Sequence, residues 1–175
     1  RDAIMTLEPP LWTFTSGNQA TADMFGAKNE EEFINFALWQ VSPELQPDGR
    51  HSGQKAKEML EKAMRNGSNF FEWTHRRIDG EEFPADVLLT RLEHAGKTFL
   101  QATIRDITER NRAEKALQDA SKNWQTTFDA ISDIVVLLTP DHEIIEINKA
   151  GIENLNKKRE EIVGQKCFHV VHGTD

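Results

Sequence analysis

The sequence predicts an α+β domain built from two strands, short helices, one longer helix and three further strands, then a connecting helix and the opening part of a second copy. Three observations carry this reading. Apolar residues alternate with period two in several short runs, as in Leu100, Ala102 and Ile104 against Gln101, Thr103 and Arg105. Between Ser52 and Arg65 the period lengthens to three and four, through Ala56, Met59, Leu60, Ala63 and Met64. Finally, residues 4 to 36 laid without a gap over the segment 130 positions later give eight identities, where chance at common-residue frequencies gives about two. These pair Ile4 with Ile134, Leu7 with Leu137, Pro10 with Pro140, Asn18 with Asn148, Ala20 with Ala150, Lys28 with Lys158, and Glu30-Glu31 with Glu160-Glu161.

Taken in order, Ala3 to Leu7 reads as a strand, Glu8-Pro9-Pro10 as a turn, and Leu11 to Ser16 as a second strand with Trp12 and Phe14 inward. Asn18 starts a short helix that Gly26 stops. Glu30 to Leu38 is a helical patch with Phe33 and Phe36 on one side, and Val41 to Arg50 is a polar surface loop. The Ser52 to Arg65 helix ends at Asn66-Gly67. Phe71, Trp73 and His75 then share one face of a strand that turns at Asp79-Gly80-Glu81. Phe83 to Leu92 is the next strand, and Ala95-Gly96 leads into the last, which ends at Asp106. The helix Glu109 to Ile131 follows, with Ala113, Leu117, Ala120 and Trp124, then Phe128 and Ile131, at the spacing of a coiled-coil seam. The same spacing suits a helix lying on its own domain. In the second copy, strands at Ile134 to Leu138 and Glu143 to Ile147 precede helical pieces at Lys149 to Leu155 and Arg159 to Val163.

A formal net charge of −8 argues against a general nucleic-acid or anionic-membrane surface. No apolar run approaches the roughly 20 residues of a membrane span. The N-terminus has no secretory signal pattern. One cysteine excludes an internal disulfide framework and suits a reducing cytoplasm. The chain is expected to be a cytoplasmic fragment of a longer protein, and its composition leaves room for a membrane tether elsewhere in that parent.

The stretch Asp106-Ile107-Thr108-Glu109-Arg110 is the junction of the last strand with the helix. Asp106 can cap the helix and Glu109 can reach back to it, as in a capping box. A helix that starts at once on a strand end should follow any change in the sheet. This pentad, preceded by His75-Arg76-Arg77-Ile78-Asp79-Gly80-Glu81-Glu82-Phe83-Pro84-Ala85 and followed by Arg112-Ala113-Glu114-Lys115-Ala116-Leu117, resembles the end of a PAS domain running into its signalling helix. The resemblance implies a five-stranded antiparallel sheet closed on its inner face by helices. It implies a PAS domain at 1–106, a linker helix at 107–131 and the N-terminal part of a second PAS domain at 132–175. It further implies a sensory role in two-component signal transduction, with a histidine kinase output in the same parent chain and a homodimer formed through the helix and the PAS surfaces. Asp106, Thr108, Glu109 and Arg110 would then transmit the signal. A ligand-free dimerisation scaffold in a cyclic-dinucleotide enzyme or transcriptional regulator is the alternative.

The expected ligand pocket lies between the sheet and the long helix, at Trp39, Met59, Leu60, Met64, Trp73, His75, Leu89 and Ala102. Such a stripe also serves as plain core. The first copy has no cysteine, so covalent flavin of the light-sensing kind is not expected. A haem or metal remains an open cofactor, with His75 as one candidate and Cys167, His169 and His172 as thiolate and imidazole donors close in sequence. The latter serve equally as a buried cysteine and turn histidines. No phosphate-cradling glycine loop, nucleophile elbow or His-Glu-x-x-His pair occurs, so no enzyme site is expected in this stretch.

Overall fold

The computed structural model describes residues 2–172. The chain divides into two compact units, Arg1–Arg112 and Ala113–Asp175.

In the first unit, strands β1 (Ala3–Glu8), β2 (Thr13–Gly17), β3 (Ser68–Arg76), β4 (Glu82–His94) and β5 (Lys97–Asp106) form an antiparallel sheet of order β2-β1-β5-β4-β3. Between β2 and β3 come α1 (Gln19–Phe25), α2 (Glu30–Ile34), a 3₁₀ turn at Leu38–Val41 and α3 (Ser52–Asn66). Period-two alternation sends Met5, Leu7, Trp73, Val87, Leu89, Leu100, Ala102 and Ile104 to one face, where they bury against Phe25, Phe33, Leu60 and Ala63 of the helices. Gly67, at φ +88°, ends α3 in the left-handed conformation that a residue without Cβ adopts freely.

The structure corrects three details. The second strand begins at Thr13: Leu11 is 80% exposed, and Trp12 has φ +55° in the turn that Pro9-Pro10 opens. Proline supplies no amide to a ladder, so the reversal extends past it. The second helix stops at Ile34, where the Asn35 side chain donates to the Glu31 carbonyl, and does not reach Leu38. The stretch 41–50 is not simply a surface loop. Its Gln46 is buried, donating to Ser52 Oγ and the Thr74 carbonyl and accepting from the Thr74 amide.

α4 (Thr108–Ala130) begins in the first unit and ends in the second. The second unit continues with β6 (Val136–Leu138), β7 (Ile144–Ile147), α5 (Lys149–Leu155), α6 (Arg159–Ile162) and α7 (Cys167–His172). Its two-stranded sheet leaves Leu137, Leu138 and Ile145 exposed, as a pair of strands alone cannot cover a face.

The repeat is visible as shared local geometry. Asn18 and Asn148 cap α1 and α5 with nearly identical dihedrals, −76°/170° and −75°/169°. Each side-chain oxygen accepts from the helix's first turn and from the first strand: Thr21 and Ile4 amides in one case, Gly151 and Val135 amides in the other. The ungapped overlay is therefore one residue out in the first strand. Met5 faces Gly17 as Val136 faces Ile147, and both hairpins carry an irregularity two pairs on, so Ile4 corresponds to Val135 and Leu7 to Leu138. The turn of the second copy is one residue shorter. The space between strand and helix is also filled in opposite ways. A Cβ on Gly17 would lie 3.3 Å from Thr21 Cγ2, whereas one on Gly151, the counterpart of Thr21, would lie 2.5 Å from Cγ1 of Ile147, the counterpart of Gly17.

Candidate functional site

The inner face of the sheet, α3 and the 3₁₀ segment line a cavity of about 50 Å³. Met59, Leu60, Trp73, His75, Leu89 and Ala102 line it, as the alternation predicts. Met64 packs against the core without reaching the cavity. Trp39 is the clear miss, at 71% exposure in an outer groove. A 3₁₀ turn repeats every three residues, so Leu38 and Val41 share the inward face and Trp39 turns out.

Two polar groups in the wall are tied to the 3₁₀ segment. Trp73 Nε1 donates to Ser42 Oγ at 3.1 Å, and His75 Nδ1 lies 3.1 Å from the Val41 carbonyl oxygen. Burial lowers the His75 pKa from 6.5 to about 4, against a smaller opposing effect of the Val41 bond, so the ring is neutral at neutral pH. Since a carbonyl only accepts, Nδ1 carries the hydrogen and Nε2 is a bare acceptor; it is buried without a partner. The ring stands edge-on to Phe25 at 5.2 Å and stacks on Phe83 at 5.7 Å.

At the junction, the Ile107 amide still pairs with Pro84 on β4, and the Ile107 carbonyl accepts the Asn111 amide at 2.9 Å. Ile107, 3% exposed, is therefore the last sheet-bonded residue and also the helix cap. This displaces the expected capping box. Asp106 stands one residue before the cap and accepts from the Thr108 amide at 2.9 Å. Glu109 falls at the second helical position, 86% exposed in its side chain, and accepts from Arg112 instead of returning to Asp106. Its negative charge still suits a helix N-terminus. The Thr108 hydroxyl is buried and has no hydrogen-bond partner, so of this residue only the amide ties the joint. Arg110 bonds Asp86 of β4 at 3.0 Å and lies 3.6 Å from Glu72 of β3, so the first turn is tied to two strands. Asp86, without an obvious partner in the sequence, finds one here.

Arg77, whose partners no local spacing reveals, joins the two regions. Its guanidinium donates to the Met24 carbonyl, to Glu81 at 2.9 Å and to Asp106 at 2.8 Å, and lies 4.0 Å from the Phe83 ring centroid. Partial burial alone would raise the Asp106 pKa; hydrogen bonds from the Thr108 amide and Arg77, and the charge of Arg77, hold it below the usual carboxylate value.

Of the candidate metal donors, Cys167 and His169 do not converge. Cys167 is half-buried against the Ile144 cluster and His169 is exposed on α7; two residues apart on a helix, they face opposite sides. The side chain of His172 lies outside the described residues, as do 173–175 of the predicted second domain. No cluster of three metal-binding side chains occurs among the described residues. Among them, too, no helix is long and apolar enough to cross a membrane.

A family model described as PAS domain matches residues 1–109, and one described as PAS fold matches residues 122–175. Among solved structures, the PAS domain of a protein from Colwellia psychrerythraea is 15% identical, with 62% of this chain and 87% of that chain covered and a TM-score of 0.51. The PAS domain of an HTR-like protein from Haloarcula marismortui is 23% identical, with 61% and 81% covered and a TM-score of 0.50. A light-oxygen-voltage domain studied with a flavin analogue is 14% identical, with 70% and 89% covered and a TM-score of 0.51. No curated protein matches the chain. At these identities the structural likeness is one of fold, and it agrees with a family match that extends over more than half the sequence: the chain belongs to the PAS domain family.

Proposed function

We propose that the chain is a cytoplasmic sensory module in which ligand occupancy or redox change in the first core biases the sheet, and the junction at Asp106 to Arg110 passes that bias through α4 to an output domain, a histidine kinase in the same parent chain. The observation that carries this reading is Arg77. One part of its guanidinium holds the carbonyl of Met24, beside the cavity-lining Phe25, and another holds Asp106 just before α4. Phe25 touches His75 edge-on, and its carbonyl accepts the Ile78 amide at 2.9 Å. A displacement of α1 on ligand binding would therefore act on a cation that Asp106 also needs, giving two arrangements of the helix start with a ligand-dependent balance. The parent is proposed to dimerise through α4, where Leu117 is 73% and Trp124 45% exposed, and through its PAS surfaces. The module itself carries no catalysis in this reading.

Hydrogen exchange tests it. In Arg77→Gln the amides of Thr108 to Asn111 should exchange about fivefold faster, equivalent to about 1 kcal/mol for a partly exposed ion pair, with the β1–β5 ladder unaffected. Unchanged exchange in that turn would refute the transmission route.

The small volume of the cavity favours a second reading, in which a filled core only holds subunits together as a ligand-free scaffold. Native mass spectrometry with and without cell extract separates the two: reproducible small-molecule adducts support sensing, and an empty stable dimer supports the scaffold.

A further inference from the structure

The core cavity carries a specific chemical demand. Apart from His75, its polar wall groups are satisfied within the protein: Ser42 Oγ receives the Trp73 indole. The Nε2 atom of His75 is a buried, unprotonated acceptor with no donor, and the cavity that His75 lines is otherwise walled mainly by apolar side chains such as Phe25, Leu60, Val87 and Leu89. An acceptor left bare in a dry site is costly, so a molecule that supplies one donor gains more there than an apolar molecule of the same size. A cation is disfavoured by desolvation, and a water would find His75 Nε2 and at most the Ser42 hydroxyl, the low end of the two to four partners it needs. The cavity, at about 50 Å³, is also well below the roughly 150 Å³ that accommodates benzene.

One part of the cavity wall also faces the surface. The outer groove beside Trp39 and Leu11 shares Leu38, Ser42, Ala56 and Leu60 with the cavity wall.

We propose that the cavity takes an uncharged aliphatic molecule of a few heavy atoms with one hydroxyl, of the short-chain alcohol class, which passes between the 3₁₀ turn and α3 and donates its O–H to His75 Nε2. This rests on the sensory reading above only in treating the core as a ligand site.

The test uses two isomers, ethanol and dimethyl ether, which match in atoms and differ in the donor. With the whole chain labelled for NMR, ethanol should shift the methyl signals of Leu60, Val87 and Leu89 and the His75 Nε2 resonance, binding about tenfold more tightly than the ether, the worth of one hydrogen bond. Equal affinity for the two isomers, or no change at the cavity at about 100 mM ethanol, overturns the ligand class. Ethanol bound at His75 with the Thr108 to Asn111 amides unmoved supports the ligand class and refutes transmission, so the two readings fail separately.

Discussion

Buried neutral and facing a carbonyl, His75 makes the first unit's stability depend on pH in a calculable way. The folded-state pKa is about 4 against an unfolded value of 6.5. A base with a depressed folded pKa binds its proton more readily when unfolded. Its contribution is thus fully present above 6.5, lost as pH falls from 6.5 toward 4, and flat below. For these two values the loss between pH 7.5 and pH 5 is about 2 kcal/mol. That window lies above most carboxylate titrations, which would otherwise dominate acid unfolding. The assay is urea denaturation followed by tryptophan emission at pH 7.5, 6.5, 5.5 and 5, on the wild type and on His75→Asn, whose amide nitrogen takes the place of Nδ1 and can still donate to the Val41 carbonyl but does not titrate. The wild type should lose about 2 kcal/mol more than the variant across the range, with the difference concentrated below pH 6.5. Parallel curves for the two proteins would refute a buried neutral histidine, and with it the bare acceptor on which the ligand class depends.

Two other outcomes follow from the geometry. Arg110→Ala removes the tie to Asp86, whose side chain is only 17% exposed, but Arg110 itself is 48% exposed. The loss should be at most about 1 kcal/mol, seen as faster exchange of the first α4 turn and diminished by salt; an effect several times larger would mean that Arg110 is part of the core. Asn148→Ala should cost the second unit about 3 kcal/mol, because a fully buried side chain bonds the Val135 and Gly151 amides and the Ile131 and Asp133 carbonyls. Asn18→Ala should cost the first unit only about 1 kcal/mol, since Asn18 is exposed and water can replace it. Equal losses by thermal denaturation would overturn that distinction.

The order of elements was legible because each one is driven by its own pattern. The alternation of Leu100, Ala102 and Ile104 and the three-and-four spacing of Ala56, Leu60 and Ala63 place one buried face each, and both faces are found where expected. Trp39 misled because aromatic character suggests burial while the 3₁₀ twist decides direction. The junction was legible in place but not in detail. Local spacing suggested Asp106 and Glu109 as a box, yet the amide of Ile107 stays with Pro84 and moves the helix start along by one. Arg77 and Asp86 were illegible for a different reason: their partners, Asp106 and Arg110, lie 29 and 24 residues away, and a contact made by strand pairing leaves no periodic trace. The one-residue offset in the repeat was hidden by Leu137 and Leu138 being identical neighbours.

The reciprocal sizes at Gly17 with Thr21 and at Ile147 with Gly151 limit how these units can be recombined. Grafting α1 into the second unit would drive a threonine into the stiff, β-branched Ile147, while the reverse graft would leave a void beside Gly17. Only a strand exchanged together with its following helix preserves the fit. Chimaeras of the two copies should therefore tolerate crossovers before the second strand or after the first helix, and fail at crossovers between them.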